Sequence, residues 1–242
     1  MARPDATDGK SSAAVVAARD LQSRRERLTR PRVVAAALEI VDRDGLEGLT
    51  MRALGHELGV DPMAAYHWFP NKPAILQGVG EAILAEIVLP DRGSELTWVE
   101  VARSIGREYR AALLRHPNAL PVASTQPVMT PRGFELIERA ASALVAGGLK
   151  PGAALETINT VAAYVIGSAV TEAGVTPGTE RVEQEAIMAS YASIDAARFP
   201  TMVAAMAEAA ELLGDDHAQF DTAVDAIIRG LEASFRERGL LA

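Results

Sequence analysis

Helix-breaking residues divide almost the whole chain into short segments, and this division limits the possible folds more than any other feature of the sequence. Between the breaks, apolar residues recur at i, i+3, i+4 and i+7, as at Val34, Ala37, Leu38 and Val41. This is the spacing of one helix face. The alternating runs typical of strands are missing, so the sequence predicts an all-α chain of about ten helices. After residue 89 the breaks fall at PDRG, HPN, AGGLKPG, VTPGT, RFP and GDD.

The front of the chain carries start and stop signals for four helices. A side chain able to cap a helix precedes each segment, and proline stands in the first turn of three of them. The caps are Thr29, Thr50, Asp61 and Asn71. Glycine adopts the left-handed backbone that ends many helices, and proline cannot continue one. The predicted ends of the first three helices are Gly45, Gly59 and Pro70.

Two of these helices, over about residues 50–69, are joined by a tight glycine turn and predict a helix-turn-helix. In this motif the second helix enters the major groove of DNA by its N-terminal part. Met63, Ala64 and Ala65 stand there and allow a close approach. Four rings follow at 66–69. A helix of about nine residues buries only one stripe, so some of these rings must face outward, which is costly unless they touch something.

Polar side chains suit the same surface. Arg52 fits a guanine edge or a phosphate, and the hydroxyl of Thr50 fits a phosphate. Lys72 offers a point charge to the DNA backbone, while Tyr66 and His67 can reach phosphates or base edges. Exposed polar residues are usually only solvated, so each of these alone is weak evidence for DNA binding.

Charge is distributed unevenly along the chain, whose net charge is −8. Residues 1–75 carry 11 basic and 10 acidic side chains, and the remainder carries 13 and 22. The front can therefore approach a polyanion and the back cannot. The stretch SRRERLTRPR, which begins at residue 23, has five arginines. It is either a solvated charge cluster or the end of an arm that lies along phosphates.

The sequence contains no cysteine, which excludes disulfides, thiol nucleophiles and cysteine metal sites. No uninterrupted apolar stretch reaches about 18 residues, so no membrane span is expected. A soluble intracellular protein is the expectation. HELGV begins like a zinc-protease helix but has Val60 at the second ligand position, and GVGEAI lacks the third glycine of a dinucleotide loop. No metal or other cofactor is expected.

The segment RPRVVAAALEIVDRDGLEGLTMRALGHELGVDPMAAYHWFPNKPAIL, at about 30–76, resembles the DNA-binding domain of the tetracycline-repressor family. The cap, glycine turn, aromatic trio and Asn-Lys pair fall at the family's spacing. The resemblance implies a homodimeric transcriptional regulator whose C-terminal helical domain binds a small molecule. It places the family's DNA contacts on Thr50, Arg52, Asp61, Pro62, Met63, Ala64, Tyr66, His67 and Lys72. Pro62 and Met63 replace more usual polar residues, so the operator sequence does not follow.

Three regions are expected: a flexible, basic-ended arm at 1–28, a helix-turn-helix DNA-binding domain at 29–76, and a ligand-binding and dimerisation domain at 77–242. Dimerisation is expected through the helices at 151–173 and 217–238, which form a four-helix bundle with their partners. Small residues on these helices permit close approach, among them Gly167, Ala169 and Gly230. The predicted helices of this region are at about 97–115, 132–147, 151–173, 180–194, 200–213 and 217–238.

The stretches TWVEVARSIGREYRAALLRHPNA, STQPVMT and NTVAAYVIGSAV are similar to the tetracycline-repressor branch itself. Val122 stands where that branch has a histidine near the drug-bound magnesium, and Thr171 replaces a glutamate. A hard cation needs oxygen ligands, so a magnesium–tetracycline effector is disfavoured and a largely apolar one is favoured. The alternative is that most of the following residues are ordinary core. The candidate pocket residues are Ile105, Tyr109, Thr125, Gln126, Met129, Phe134, Tyr164, Ser168 and Thr171.

The function expected is that of a repressor that binds a palindromic operator as a dimer and releases it on binding a small molecule. An effector that prefers one dimer geometry must weaken operator binding by the same coupling energy, and the fourth helix is the expected lever. Two other classes stay open. An all-α enzyme would need a catalytic cluster that the sequence does not display, and a helical scaffold or partner-binding protein would have no DNA activity.

Overall fold

The computed structural model describes residues 28–91, 95–125, 130–174, 189–190, 193–212 and 216–242. Within these ranges the secondary structure is helical apart from one isolated bridge between Leu149 and Leu241, so the all-α prediction is confirmed. The α-helices are α1 Arg30–Gly48, α2 Met51–Leu58, α3 Pro62–Tyr66, α4 Lys72–Ala85, α5 Trp98–Arg115, α6 Leu120–Thr125, α7 Pro131–Ala146, α8 Pro151–Ala173, α9 Pro200–Leu212 and α10 Asp216–Glu237.

The four helix caps predicted at the front of the chain are all present. Thr29 accepts a hydrogen bond from the Arg32 amide, and Thr50 accepts one from Ala53 at 3.0 Å. Asp61 and Asn71 likewise accept from amides two and three residues on, at 2.8 and 2.9 Å. Gly45 has a φ of 71° and interrupts α1, which continues to Gly48 beyond this kink. The predicted end at Gly45 therefore coincides with a break in the helical backbone, and a short further helical segment follows it up to Gly48.

The predicted helices of the C-terminal region agree with the structure to within one residue at each end where they are described. The helix expected at 180–194 lies almost entirely outside the described residues. One segment was missed: a 3-10 turn at Pro117–Ala119 leads directly into α6. The HPN sequence was interpreted only as a break, but Ala119 and Leu120 are completely buried. Burial of these two side chains stabilises a helix that local signals do not indicate.

The chain divides into two compact units, and the division falls between Ala82 and Ile83. This is six residues beyond the predicted domain boundary at residue 76 and lies inside α4. In the first unit, α1, α2 and α3 pack together around Ile40, Leu54 and Phe69, which are at most 2% exposed. This core orients the helix-turn-helix.

In the second unit, α5 packs against α7, α8 and α10, and α8 also packs against α7 and α10. The ring of Trp98 at the start of α5 lies 6.0 Å from that of Phe235 in α10. Backbone hydrogen bonds tie the C-terminus to the turn before α8: Lys150 donates to Leu240, and Ala242 donates to Gly148. These contacts hold together the start of α5, the start of α8 and the end of α10.

Among the helices that the structure describes, α8 is long and apolar enough to cross a membrane by length and composition, with a mean hydropathy of 1.3. The sequence had not indicated a span here, because polar residues interrupt the apolar stretch. Seven of its residues are buried at regular helical spacing against the rest of the second unit, as in the core helix of a globular domain.

Candidate nucleic-acid interface and effector cavity

The turn between α2 and α3 is fixed by two glycines. Gly59 adopts the left-handed conformation, with φ 65°, and its amide donates to the carbonyls of Gly55 and His56. A Cβ added to Gly55 would lie 2.8 Å from the Cα of Pro62. No side chain fits between the two helices at this point, so α3 lies directly against α2 in the close contact typical of a helix-turn-helix.

The side chains of α3 separate into an inner and an outer set. Ala64 and Ala65 are 6% and 0% exposed, so the expected DNA contact by the side chain of Ala64 does not fit: a helix of five residues must pack one side against α2, and these two positions supply it. On the outer side, Met63 is 66% and Tyr66 43% exposed. His67 is also exposed and follows Met63 by four residues.

The aromatic cluster separates in the same way. Phe69 is 2% exposed, and the guanidinium of Arg30 lies 5.0 Å from the centre of its ring. Trp68 is 36% exposed and meets the His67 ring edge-on, with the ring centres 5.6 Å apart. One ring is therefore core, and the other three are available at the surface, as the sequence argument required.

The polar residues expected at the interface differ in how much of their bonding capacity is already used. Arg52 is exposed, and no ion pair joins it to a described acidic residue. Thr50 and Asp61 each use an oxygen to cap a helix. Lys72 donates from Nζ to the carbonyl of Leu46 at 2.6 Å. This uses one of its three N–H groups and holds the ammonium beside the end of α1.

The second unit contains an apolar cavity of about 180 Å³. Its described lining includes no Lys, Arg, His, Asp or Glu, so an ionised ligand would have no partner for its charge there. The lining residues are Leu84, Ile87, Leu89, Ile105, Tyr109, Gly133, Leu136, Ile137, Ala140, Ile158, Asn159 and Ala162.

Tyr109 and Asn159 supply the polar side-chain groups of this lining. Burial raises the pKa of Tyr109 to about 12, so its hydroxyl stays protonated at neutral pH and can donate a hydrogen bond. The amide of Asn159 can both donate and accept. An apolar wall with a few polar groups is the usual composition of a small-molecule site.

Only two of the nine predicted pocket residues, Ile105 and Tyr109, line this cavity. Phe134 is 50% exposed, although its neighbour Gly133 is in the wall. Gln126, Met129 and the side chain of Thr125 lie outside the described residues. The remaining three are brought together elsewhere: Tyr164, Ser168 and Thr171 line a separate, open groove of about 550 Å³ with Gln219 and Phe220.

The groove is held by contacts within the second unit. The rings of Tyr164 and Phe220 stack with their centres 5.6 Å apart. Arg110, which is 5% exposed, lies against Phe220 and donates to Glu172 at 2.6 Å. The hydroxyl of Thr171 donates to the carbonyl of Gly167 in its own helix. Tyr164 therefore packs α8 against α10, and none of these three predicted residues lines the apolar cavity.

Sequence reasoning missed most of the cavity wall. Leu84, Leu136 and Ile158 have the spacing of ordinary core residues, and nothing local distinguishes a cavity from a filled core. One signal was available. Asn159 is a polar residue in the strongly apolar helix α8, close to Ile158 and Ala162 at helical spacing.

Helix α4 is anchored near both of its ends, each time within one unit. In the first unit, Lys72 contacts Leu46, and Glu81, which is 6% exposed, pairs with Arg30 at 3.1 Å. In the second unit, Glu86 accepts hydrogen bonds from Arg115 at 2.7 Å and from His116 at 2.9 Å. Burial alone would raise the pKa of Glu86, but these hydrogen bonds outweigh it and lower the pKa.

Both parts of the sequence are similar to known families of regulatory proteins. Residues 33–79 match the family described as bacterial regulatory proteins, tetR family, and residues 89–235 match the tetracyclin repressor-like C-terminal domain. The HTH-type transcriptional repressor DrrR1 of Streptomyces coeruleorubidus is 28% identical, over 87% of this chain and 80% of that protein. The class D tetracycline repressor of Escherichia coli is 26% identical, over 85% and 90%.

Solved structures extend the similarity to three dimensions. ActR from Streptomyces coelicolor without ligand has a TM-score of 0.71 and 26% identity, and covers 87% of this chain and 98% of its own. ActR in complex with actinorhodin gives 0.71 and 27%, with coverage of 86% and 97%. Each part of the chain, and the chain as a whole, is therefore similar to regulators of the tetracycline-repressor type.

Proposed function

Because the chain belongs to the tetracycline-repressor family of ligand-responsive transcriptional regulators, we propose that it is a repressor that binds a palindromic operator as a homodimer and releases it on binding a small molecule. The observation that carries the proposal is the outer face of α3, where Met63, Tyr66 and His67 are exposed while Phe69 is buried. Two relatives, DrrR1 and the class D protein, bear the name of repressors, which favours repression over activation.

The DNA-binding half of the proposal rests on an exposed face that combines three kinds of contact. Arg52 supplies a charge for a guanine edge or a phosphate, Tyr66 supplies a hydroxyl, and Met63 supplies an apolar tip. The cap at Thr50 fixes the start of α2, and the contact of Lys72 with Leu46 ties the start of α4 to the end of α1. Asp61 and Pro62 act by starting α3 in the correct direction.

The effector half rests on the neutral cavity of the second unit. The effector is an uncharged and largely apolar molecule. It accepts a hydrogen bond from the hydroxyl of Tyr109, and it either donates a hydrogen bond to the amide of Asn159 or accepts one from it. Binding sites for drug-sized molecules usually measure about 300–1,000 Å³, whereas this cavity measures about 180 Å³. A drug-sized molecule must therefore widen the cavity when it binds. The structure of ActR with actinorhodin supports a small-molecule effector in a protein of this fold.

The coupling between the halves runs through α4. Leu84, in its last turn, lines the cavity, so widening the cavity displaces that end of the helix. The salt-bridged Glu81 and the contact of Lys72 with Leu46 transmit the displacement to the helix-turn-helix. The coupling free energy expected is about 1–3 kcal/mol, a change of roughly 5- to 150-fold in operator affinity.

Dimerisation through α8 and α10 completes the proposal. A Cβ added at Gly167 or Gly230 would meet no atom within 4 Å, so both glycines lie on open helix faces that a second copy can approach. Ala169, in contrast, is fully buried in its own subunit and is not available for the interface. A dimer presents its two recognition helices to successive major grooves about 34–36 Å apart. A regulator of this kind acts in the cytoplasm.

The test is duplex binding by the full-length protein. A duplex selected by the protein from a library with a randomised centre is titrated at 50–200 mM salt, with wild-type protein, Arg52→Ala and Tyr66→Phe. We expect a selected palindrome, a steep fall in affinity with salt and weaker binding by both variants with dimerisation intact. Absence of any selected duplex would instead favour a helical scaffold without DNA activity.

A further inference from the structure

Met63 is exposed in a way that core packing does not explain. Its side chain is 66% exposed, whereas the neighbouring Ala64 and Ala65 are buried. Single exposed apolar side chains are common on protein surfaces, so it is the position of Met63 that gives its exposure a meaning. This residue is the second of α3, the part of a recognition helix that lies nearest to the bases.

The direction of Met63 is fixed by the local structure. The carboxylate of Asp61 accepts a hydrogen bond from the Met63 amide at 2.8 Å. Pro62 lies against Gly55 with no space for a side chain between them. The two buried alanines hold the opposite side of the helix, so Met63 must point away from the first unit, on the same side as Tyr66 and His67.

We propose that Met63 is a specificity-determining residue that recognises the 5-methyl group of thymine in each operator half-site. The proposal rests on the DNA-binding function proposed above. Thymine methyl groups are the apolar feature of the major groove, where the other recognition groups on base edges are hydrogen-bond donors and acceptors. A thioether side chain has no hydrogen to donate and accepts only weakly, so its contribution to base recognition is apolar contact. The apolar tip of Met63 therefore selects T·A pairs.

The test removes the methyl group from the DNA instead of from the protein. In the selected duplex, each thymine is replaced in turn by deoxyuridine, which lacks only the 5-methyl group, in both half-sites. One symmetric position should weaken wild-type binding by roughly 4-fold per half-site, or about 15-fold in total, the loss expected for about 0.8 kcal/mol per buried methyl group. The other positions should change affinity less.

The same substitutions are then measured with Met63→Ala and Met63→Leu. The alanine variant should bind the thymine duplex about as weakly as the wild type binds the deoxyuridine duplex, and should be insensitive to the base change. The leucine variant should keep most of the sensitivity, because it keeps an apolar tip. Met63 is exposed, so neither variant should unfold, and circular dichroism verifies this.

Three results separate the two proposals. If the wild type selects a duplex and one symmetric thymine couples to Met63, the inference holds. If the wild type selects a duplex but no thymine-to-deoxyuridine change depends on residue 63, the inference is wrong and the DNA-binding function stands. If no duplex is selected, the proposed function itself fails.

Discussion

The two units of this chain differ in how their side chains are organised for binding. The first unit exposes its proposed DNA contacts on α3 and near the starts of α2 and α4, where caps a few residues away in the sequence fix the local backbone. In the second unit the residues proposed to bind an effector line an apolar cavity built from four helices that are far apart in the sequence. The residues that line the cavity can therefore change without changing the local structure proposed to recognise DNA.

The largest effect is expected from changes on the faces proposed to join two copies. Substituting both Gly167→Arg and Gly230→Arg places long cations on open faces of α8 and α10, where they fit a monomer but not a close dimer. We expect a folded monomer and a loss of roughly 100- to 1,000-fold in operator affinity, because the second half-site no longer benefits from a tethered partner. Light scattering and duplex titration measure the two effects.

The control is Ala111→Arg, at an exposed position of α5, which should leave both properties unchanged. A double glycine variant that stays dimeric would show that the subunits associate through another surface.

The next largest effect concerns the first unit alone. In Gly55→Ala, the new methyl group meets the backbone of Pro62 at 2.8 Å, so α2 and α3 must move apart. We expect a loss of about 1–3 kcal/mol in the stability of that unit and weakened duplex binding. Hydrogen exchange at residues 50–70 should accelerate while α7 and α8 are unaffected. Gly152→Ala, where a Cβ meets nothing within 4 Å, is the matched control, and equal exchange in both variants would contradict the packing described.

Loss of the Arg52 guanidinium should alter binding without altering folding. Arg52→Ala is expected to weaken operator binding by about 1–3 kcal/mol. Two mechanisms are distinguishable in the same titration. If Arg52 contacts a guanine, specificity should relax at one base pair. If it contacts a phosphate, the slope of log affinity against log salt concentration should fall by about one. Unchanged affinity at every salt concentration would remove Arg52 from the interface.

A smaller, complementary effect is expected in the cavity. Tyr109→Phe removes one hydrogen-bond donor, a net loss of about 1 kcal/mol or roughly 5-fold in affinity for neutral aromatic compounds found by thermal-shift screening. Duplex binding without such a compound should not change. Tyr164→Phe, in the separate groove, is the control and should bind these compounds normally. Equal losses in the two tyrosine variants would place the effector elsewhere.

The smallest effect is a pH dependence at the end of α4. The folded state lowers the pKa of Glu86, so its ionised form contributes stability above the unfolded value of about 4.5. That contribution is lost as the pH falls through the lower folded value. Between pH 5 and pH 3 the wild type should therefore lose more stability than Glu86→Gln, as followed by denaturant unfolding. Glu135→Gln, at an exposed site on α7, should follow the wild type.

The difference between the units also explains what the sequence could predict. Thr50, Gly59 and Asp61 act within four residues of themselves, so both ends of α2 and the start of α3 follow from local chemistry. The end of α3 does not: it was predicted at Pro70, but the helix ends at Tyr66. Ala64 was expected to face DNA because it is small, but its orientation depends on packing against α2. Leu120 and Ile137 belong to a buried turn and a cavity wall, and their roles depend on residues far along the chain. Tyr109 was found because the resemblance to the family supplied that long-range information.

Hydroxyl-radical footprinting of the full-length protein on its selected duplex tests the central claim most directly. The exposed edge of α3, presented twice by a dimer, should protect two symmetric segments on one face of the duplex, with their centres about 10 base pairs apart. Both segments should disappear together in the Gly167→Arg, Gly230→Arg variant. A single asymmetric footprint, or two that persist in that variant, would contradict the account.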